Sequence, residues 1–275
     1  MINNKSWEIP KHDLTVFKEK KSQYCICLPV INEGEKIKKQ LKKIKPYASI
    51  VDVIILDGGS TDNSLTHDFL KENDVRAILV KKDKGKLSAQ LRMGFSYALL
   101  EGYEGIITID GNNKDSVESI PDFVENLKKG YDFIQGSRYV KGGKEINTPL
   151  SRKIAIKLIH APYLSLLSGF RYTDTTNGFR GHSSKFLLDD KLSIFRNVFD
   201  SYELLAYLSV KAPRLGYRTI EIPVTREYPI GKIPTKISPL RGNFLLIKIL
   251  LNLLFKKYDK LITNNNNQKS LGGSK

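Results

Sequence analysis

The sequence predicts an α/β fold with a mostly parallel central sheet flanked by helices. Three observations lead there. Apolar runs of strand length alternate with helical patterns through the first half of the chain. Those runs are apolar at consecutive rather than alternate positions, as in strands buried on both faces. The segments between them are long enough for right-handed crossovers. With 40% hydrophobic and 27% charged residues, the 275-residue chain is balanced like a globular protein, which excludes wholesale disorder and a collagen-like fibre.

Residues 1–22 are polar, cluster Lys18, Lys20 and Lys21, and read as an N-terminal arm. Residues 24–30 are the first strand. Asn32 can cap a helix over 33–44, where Ile37, Leu41 and Ile44 share one face. Residues 51–56 (VDVIIL) form the second strand and end in the turn Asp57-Gly58-Gly59-Ser60. A helix through Phe69, a strand over 77–80, a helix over 88–100 and a strand over 106–109 follow. A helix over 120–127 and a strand at 133–134 complete this half.

The second half is less regular. A helix over 152–160 carries Lys153, Lys157 and His160 on one face, and Pro162 breaks or kinks it. Residues 219–224 read as a strand. Residues 244–255 are nearly all Leu, Ile and Phe, with Lys248 and Asn252 four apart. That segment is too short to cross a bilayer and suits either a core helix or an interfacial helix on a membrane. The tail 261–275 is of low complexity and is expected to be disordered. The expected organisation is an arm (1–22), one α/β domain (23–240), an apolar helix (241–260) and the tail.

Lys and Arg number 45 against 29 Asp and Glu, a formal charge of +16. A solvated Lys-rich surface explains this as well as a surface for anionic lipid, a phosphorylated ligand or nucleic acid, and charge alone does not choose. No nucleic-acid motif is present, and the basic residues are spread rather than striped. Cys25 and Cys27 lie on one apolar run and cannot frame disulfides, so a reducing cytosol is expected. The start MINNKSWEIPKHD lacks the apolar stretch of a secretory leader.

In an open parallel sheet, ligands bind beyond the carboxyl ends of the strands. Those ends carry Pro29, Asn32 and Glu33, then Asp57-Gly58-Gly59-Ser60-Thr61-Asp62, then Lys84-Gly85-Lys86, then Asp110-Gly111-Asn112. Each alone has a plain structural use, as a cap or a tight turn. Four at successive strand ends make a site. Val-Ile-Asn-Glu-Gly after the first strand is not a dinucleotide fingerprint, and Gly85-Lys86 lacks the upstream glycine of a P-loop. The scattered histidines exclude a zinc site. Asp110 and Asn112, two apart, offer hard oxygen to Mg²⁺ or Mn²⁺ bridging to a diphosphate.

Residues 29–33 (PVINE) resemble the P-x-x-N-E opening of family 2 glycosyltransferases with the GT-A fold. Residues 57–62 (DGGSTD) look like their D-D-G-S-x-D loop, and Asp110-Gly111-Asn112 falls at their D-x-D. Gly136-Ser137-Arg138-Tyr139, Gly142-Gly143, Asp174 with Asn177-Gly178-Phe179-Arg180, and Arg226, Gly231, Thr235 and Lys236 point to one branch. It is that of dolichol-phosphate mannosyltransferase and related polyprenyl-phosphate sugar transferases. The matches run in order over about residues 24–237. Departures are Gly58 for the second Asp of the first loop, Asn112 for the second Asp of D-x-D, and the extra Lys232-Ile233-Pro234. An amide oxygen can still ligate a metal, with one less charge. Asp115 either compensates or caps the next helix.

The resemblance implies sugar transfer, with inversion, from a nucleoside diphosphate sugar to a membrane-associated acceptor. That acceptor is a polyprenyl phosphate or a lipid-linked glycan, in cell-surface polysaccharide or glycoconjugate synthesis. Glu33 and Asp57 fall to base and ribose, with Pro29, Asn32, Lys86 and Gly111 around the donor. Asp110 and Asn112 fall to Mg²⁺ or Mn²⁺, and Arg226 and Lys236 to the leaving diphosphate. Arg138 and Arg180 are the expected clamps on an acceptor phosphate. A lipid phosphate needs no general base, whereas a sugar hydroxyl needs a carboxylate, with Asp174 first and Glu203 second. The apolar segments and basic surface would dock on the inner face of the cell membrane, less tightly at high salt. A nucleotide-sugar binder without turnover and a nucleotidyltransferase are the rival readings.

Overall fold

Val53, Ile54, Ile55 and Leu56 are wholly buried, as a strand covered on both faces must be. The computed structural model describes residues 2, 4–231 and 239–259. Its strands are β1 (His12–Val16), β2 (Tyr24–Val30), β3 (Asp52–Asp57), β4 (Val75–Lys81), β5 (Gly105–Thr108), β6 (Phe133–Ser137), β7 (Lys144–Ile146), β8 (Arg180–Ser183), β9 (Thr219–Pro223) and β10 (Thr225–Glu227). Its helices are α1 (Glu35–Ile44), α2 (His67–Glu72), α3 (Leu87–Leu100), α4 (Ile120–Lys128), α5 (Leu150–Ile154), α6 (Ala161–Ser168), α7 (Ser184–Leu187), α8 (Glu203–Arg214) and α9 (Pro239–Leu254).

Eight strands make one sheet in the order β1-β4-β3-β2-β5-β8-β6-β9, and β10 pairs with β7 in a small parallel ribbon. The expected α/β architecture is present, with two antiparallel insertions. β1 lies in the segment read as an arm and pairs antiparallel with β4. β8 runs antiparallel between β5 and β6. Its sequence, RGHS, has no apolar run, so hydrophobic patterning could not reveal it; ladders on both sides hold it.

One face of the sheet packs Leu56, Ala77 and Leu79 against α3, α6 and α8. The other packs Ile26, Leu28 and Ile55 against α1 and α4. Every residue of α3 from Ser88 to Leu99 is buried. Gly94 permits the close seating of α3 on β3, because a Cβ there would sit 2.4 Å from Leu56 Cδ1. Residues 150–168 form one helical stretch, with a π-helical turn over Ala155–His160 joining α5 to α6. Pro162 occupies the first turn of α6, and the wide turn before it absorbs the expected kink. Lys236, the insertion 232–234 and the tail 261–275 lie outside the described residues.

Candidate active site

β2 and β3 end side by side, paired as far as Val30 and Asp57. There the buried Gln90 amide donates to the carbonyls of Val30 (2.9 Å) and Leu56 (2.8 Å). The two following loops are laced together. Asp57 Oδ1 accepts the Gly59 and Ser60 N–H groups and the Ser60 hydroxyl, at 3.2, 2.9 and 2.6 Å. Asn32 does not cap α1, which starts after Gly34 without a side-chain cap. With φ at 47°, Asn32 turns across and accepts the Thr61 N–H at 2.8 Å. Asp62 accepts the Gly34 N–H at 2.8 Å. Burial pushes the Asp62 carboxyl up, but the hydroxyl and N–H donors of Ser64 and Gly34 outweigh it and hold it lower than usual. Pro29 lies in β2, Glu33 pairs with Lys36 at 3.3 Å, and Lys86 Nζ lies 5.6 Å from the Tyr202 ring centre.

At the end of β5, Gln40 on α1 grips the next loop. Its amide donates to the Asp110 carbonyl (3.0 Å) and its oxygen accepts the Asn113 N–H (2.7 Å). Gly111 fits because a Cβ would lie 2.8 Å from Val30 Cγ2. Asp110 Oδ2 accepts from Arg226 Nη2 at 3.1 Å, and Asp115 Oδ2 from Arg226 Nη1 at 2.5 Å. Arg226 therefore bridges two carboxylates. Gly178 makes room for Asp110, since a Cβ there would lie 2.4 Å from Asp110 Oδ1. β10 carries Arg226, with Tyr228 just after it, over this loop, through Ser116 N–H to Thr225 O and Glu227 N–H to Lys114 O.

Three candidates are structurally committed. Asp174 is completely buried and binds Arg138 through Nε (2.6 Å) and Nη2 (3.0 Å). Burial pushes its pKa up, yet the Arg138 contacts prevail and hold the carboxyl below its ordinary value. A carboxylate so paired is a poor general base. Arg180, expected as a phosphate clamp, instead spends its guanidinium on the carbonyls of Thr175, Asn177 and Leu205 and the Ser209 hydroxyl. Burial lowers it to about 10. Glu203 begins α8 and accepts the Ser201 N–H at 2.7 Å, with its carboxylate at the positive end of the helix.

Sequence reasoning missed the hub of the site, the buried Tyr228. Arg152 Nη1 donates to its hydroxyl at 3.1 Å, and Arg138 Nη1 lies 3.5 Å from the same oxygen. Lys114 Nζ lies 5.1 Å from the ring centre and Arg226 5.7 Å. Burial pushes the phenol up, but Arg226, Arg152 and Arg138 pull it below its ordinary value. Three cations thus sit over the ring and a fourth, Arg138, at its hydroxyl. Only the K-D pair at 114–115 and the R-E-Y run at 226–228 hinted at them, and neither is a pattern until β10 crosses the loop.

A protein-held divalent cation wants several hard oxygens and negative charge. Arg226 already engages Asp110, and Asp115 is buried against the same guanidinium. Asn112 is neutral, and its Oδ1 faces the Lys114 N–H at 3.3 Å. Among the described residues no three His, Cys, Asp or Glu side chains group to hold a metal. As placed, the side chains at this strand end offer a metal less than the expectation for Asp110 and Asn112 requires: one carboxylate already held by Arg226 and one neutral amide.

The family model for glycosyl transferase family 2 matches residues 25–201. An undecaprenyl-phosphate mannosyltransferase of Micrococcus luteus is 28% identical over 205 residues, 72% of this chain and 81% of that protein. A polyprenol monophosphomannose synthase of Mycolicibacterium smegmatis is 25% identical over 214 residues, 76% of this chain and 80% of that protein. Among solved structures, glucosyl-3-phosphoglycerate synthase from Mycobacterium tuberculosis, in complex with Mn²⁺, UDP and glucosyl-3-phosphoglycerate, superposes with a TM-score of 0.60 at 15% identity. That match covers 85% of this chain and 78% of the synthase. With its GT-A sheet and the acidic strand end at Asp110, the chain belongs to the family 2 glycosyltransferases.

Proposed function

We propose that the protein transfers a sugar, with inversion, from a nucleoside diphosphate to the phosphate of a polyprenyl phosphate. The observation that carries this is the cationic cluster around Tyr228 beside Asp110, in a site where the first-choice base, Asp174, is locked to Arg138. Such a site suits a nucleophile that arrives already ionised. Phosphate oxygen attacks the anomeric carbon as the bond to the diphosphate oxygen breaks on the opposite face. No proton has to be removed. Arg152, half-buried at the front of the cluster, would meet the acceptor phosphate, with Arg138 behind it. Arg226 and Lys114 would face the departing diphosphate, where fixed charge lowers the barrier most. The donor's base and ribose fall to the laced loops of Asn32, Glu33 and Asp57, with Lys86 at their edge. The two bacterial relatives, named for polyprenyl-phosphate mannosyl transfer, support the acceptor class.

The acceptor lies in a membrane, and the surface has the means to reach it. Leu158 and Leu166 are 72% and 81% exposed, and Ile247, Leu251, Leu254 and Phe255 on and just after α9 are exposed as well. Tyr163 links α6 to α9 by donating to the Leu250 carbonyl at 2.9 Å. Lys157, Lys256 and Lys257 flank these apolar residues. Among the described residues no helix is long and apolar enough to cross a membrane. The reading is therefore peripheral contact with the cytosolic leaflet, by apolar insertion and attraction to anionic lipid.

The test is in two steps. Thermal unfolding with UDP, GDP, CDP and dTDP identifies the base, because a ligand at 100 times its Kd adds about 2.7 kcal/mol. The matching labelled nucleotide sugars are then offered with undecaprenyl phosphate in vesicles. Label passing into the lipid is the expected result; no nucleotide binding and no lipid labelling would refute the reading.

A further inference from the structure

The Asp110 site holds more positive side chains than negative ones. Arg226, Lys114, Arg138 and Arg152 face three carboxylates, those of Asp110, Asp115 and Asp174, so the cluster is positive before any metal arrives. Asp115 cannot turn outward to help a metal: its side chain is fully buried and one oxygen is taken by Arg226. Its other oxygen, like Asn177 Nδ2 nearby, is buried without a hydrogen-bond partner. A divalent cation entering this positive cluster is repelled, while a diphosphate is drawn in.

We propose that Arg226 and Lys114 neutralise the donor diphosphate in place of a divalent metal, so that donor binding and turnover do not depend on one. This rests on the donor site proposed above. Lys114 follows Asn112 by two residues, and the Asn112 oxygen faces the Lys114 main-chain N–H. The residue that lacks the second carboxylate thus belongs to the same turn as the ammonium that takes over its task. Arg226 is held ready by Asp115 and gives up Asp110 when phosphate oxygens arrive, a substitution of one anionic partner for another. A guanidinium and an ammonium together carry the two charges that one divalent ion would bring. Both are already fixed to the chain, so no ion has to be ordered as the donor binds.

The experiment measures binding of UDP, GDP, CDP and dTDP to the full-length protein by calorimetry, in excess EDTA and again with Mn²⁺, followed by lipid labelling under both conditions. The expected result is one nucleotide with similar affinity in both and labelling that survives EDTA. Lys114→Gln should weaken nucleotide binding in EDTA by about tenfold to a hundredfold, the worth of one charge-assisted contact, with its unfolding midpoint kept as a control. Added Mn²⁺ should restore part of that loss in the variant and little in the parent. Binding or labelling by the parent that collapses in EDTA and returns with Mn²⁺ overturns the proposal. Lys114→Gln binding like the parent in EDTA removes Lys114 from it. If no nucleotide binds under either condition, the donor reading itself fails and this inference falls with it.

Discussion

Asp174 shows how a side chain can look catalytic in sequence and prove architectural. It lies just before Asn177-Gly178-Phe179-Arg180, where an acceptor-side carboxylate is expected, but its partner, Arg138, is 36 residues away in sequence and meets it only through the fold. Asp174→Asn should cost about 3–5 kcal/mol, because it strands a buried guanidinium. The pH dependence follows from the lowered carboxyl. The ion pair stabilises the fold above the ordinary aspartate value of 3.8, and that contribution is lost as pH falls through the lower folded value. Denaturant unfolding across the acid range should therefore show a weaker acid dependence in the variant than in the parent. A variant of unchanged stability and abolished turnover would restore Asp174 as a base. Gly178→Ala tests the opposite kind of residue. Its methyl would meet Asp110 Oδ1, so nucleotide affinity should fall about tenfold while stability changes by only about 1–2 kcal/mol. Asp57 and Asp110 were legible because strand ends with short polar loops mark them. Tyr228, Arg152 and Lys114 were not, since they become one cluster only when β10 crosses the 110–116 loop.

At the scale of elements, the apolar runs located β2, β3 and β4 because each is covered on both faces. The same logic failed for β1, an edge strand with polar alternation, and for β8, which is stabilised by its ladders rather than by its side chains. Residues 244–255 were open to two readings, and the helix carries both a buried and an exposed apolar row. Ile249 and Leu253 are buried in the core, whereas Ile247, Leu251 and Leu254 face outward. Leu158→Asp with Leu251→Asp should weaken co-sedimentation with anionic vesicles by about tenfold or more and leave nucleotide binding intact. Equal sedimentation of parent and double variant would assign those residues no part in membrane contact. The loop pair is a second element-level device. Asn32 and Asp62 tie the two halves of the donor loops, and Asn32→Ala should release the Thr61 N–H and raise the Kd for nucleotide about threefold to tenfold, readable by calorimetry.

For the whole molecule, strand order explains why the site lies where it does. The Asp57 and Asp110 loops leave β3 and β5, the two neighbours of β2 in the sheet, so one cleft receives all three strand ends. The antiparallel β8 then brings Asp174, Asn177 and Gly178 to the far wall, and the β7–β10 ribbon closes over it with Arg226 and Tyr228. On the proposed reading these cations select an ionised acceptor rather than a hydroxyl. The direct measurement offers polyprenyl phosphate and the free polyprenol of the same length, in the same vesicles, with the donor that binds. Sugar should pass to the phosphate lipid, giving an acid-labile phosphodiester, and not to the alcohol. Glycosylation of the alcohol at a comparable rate would contradict the account.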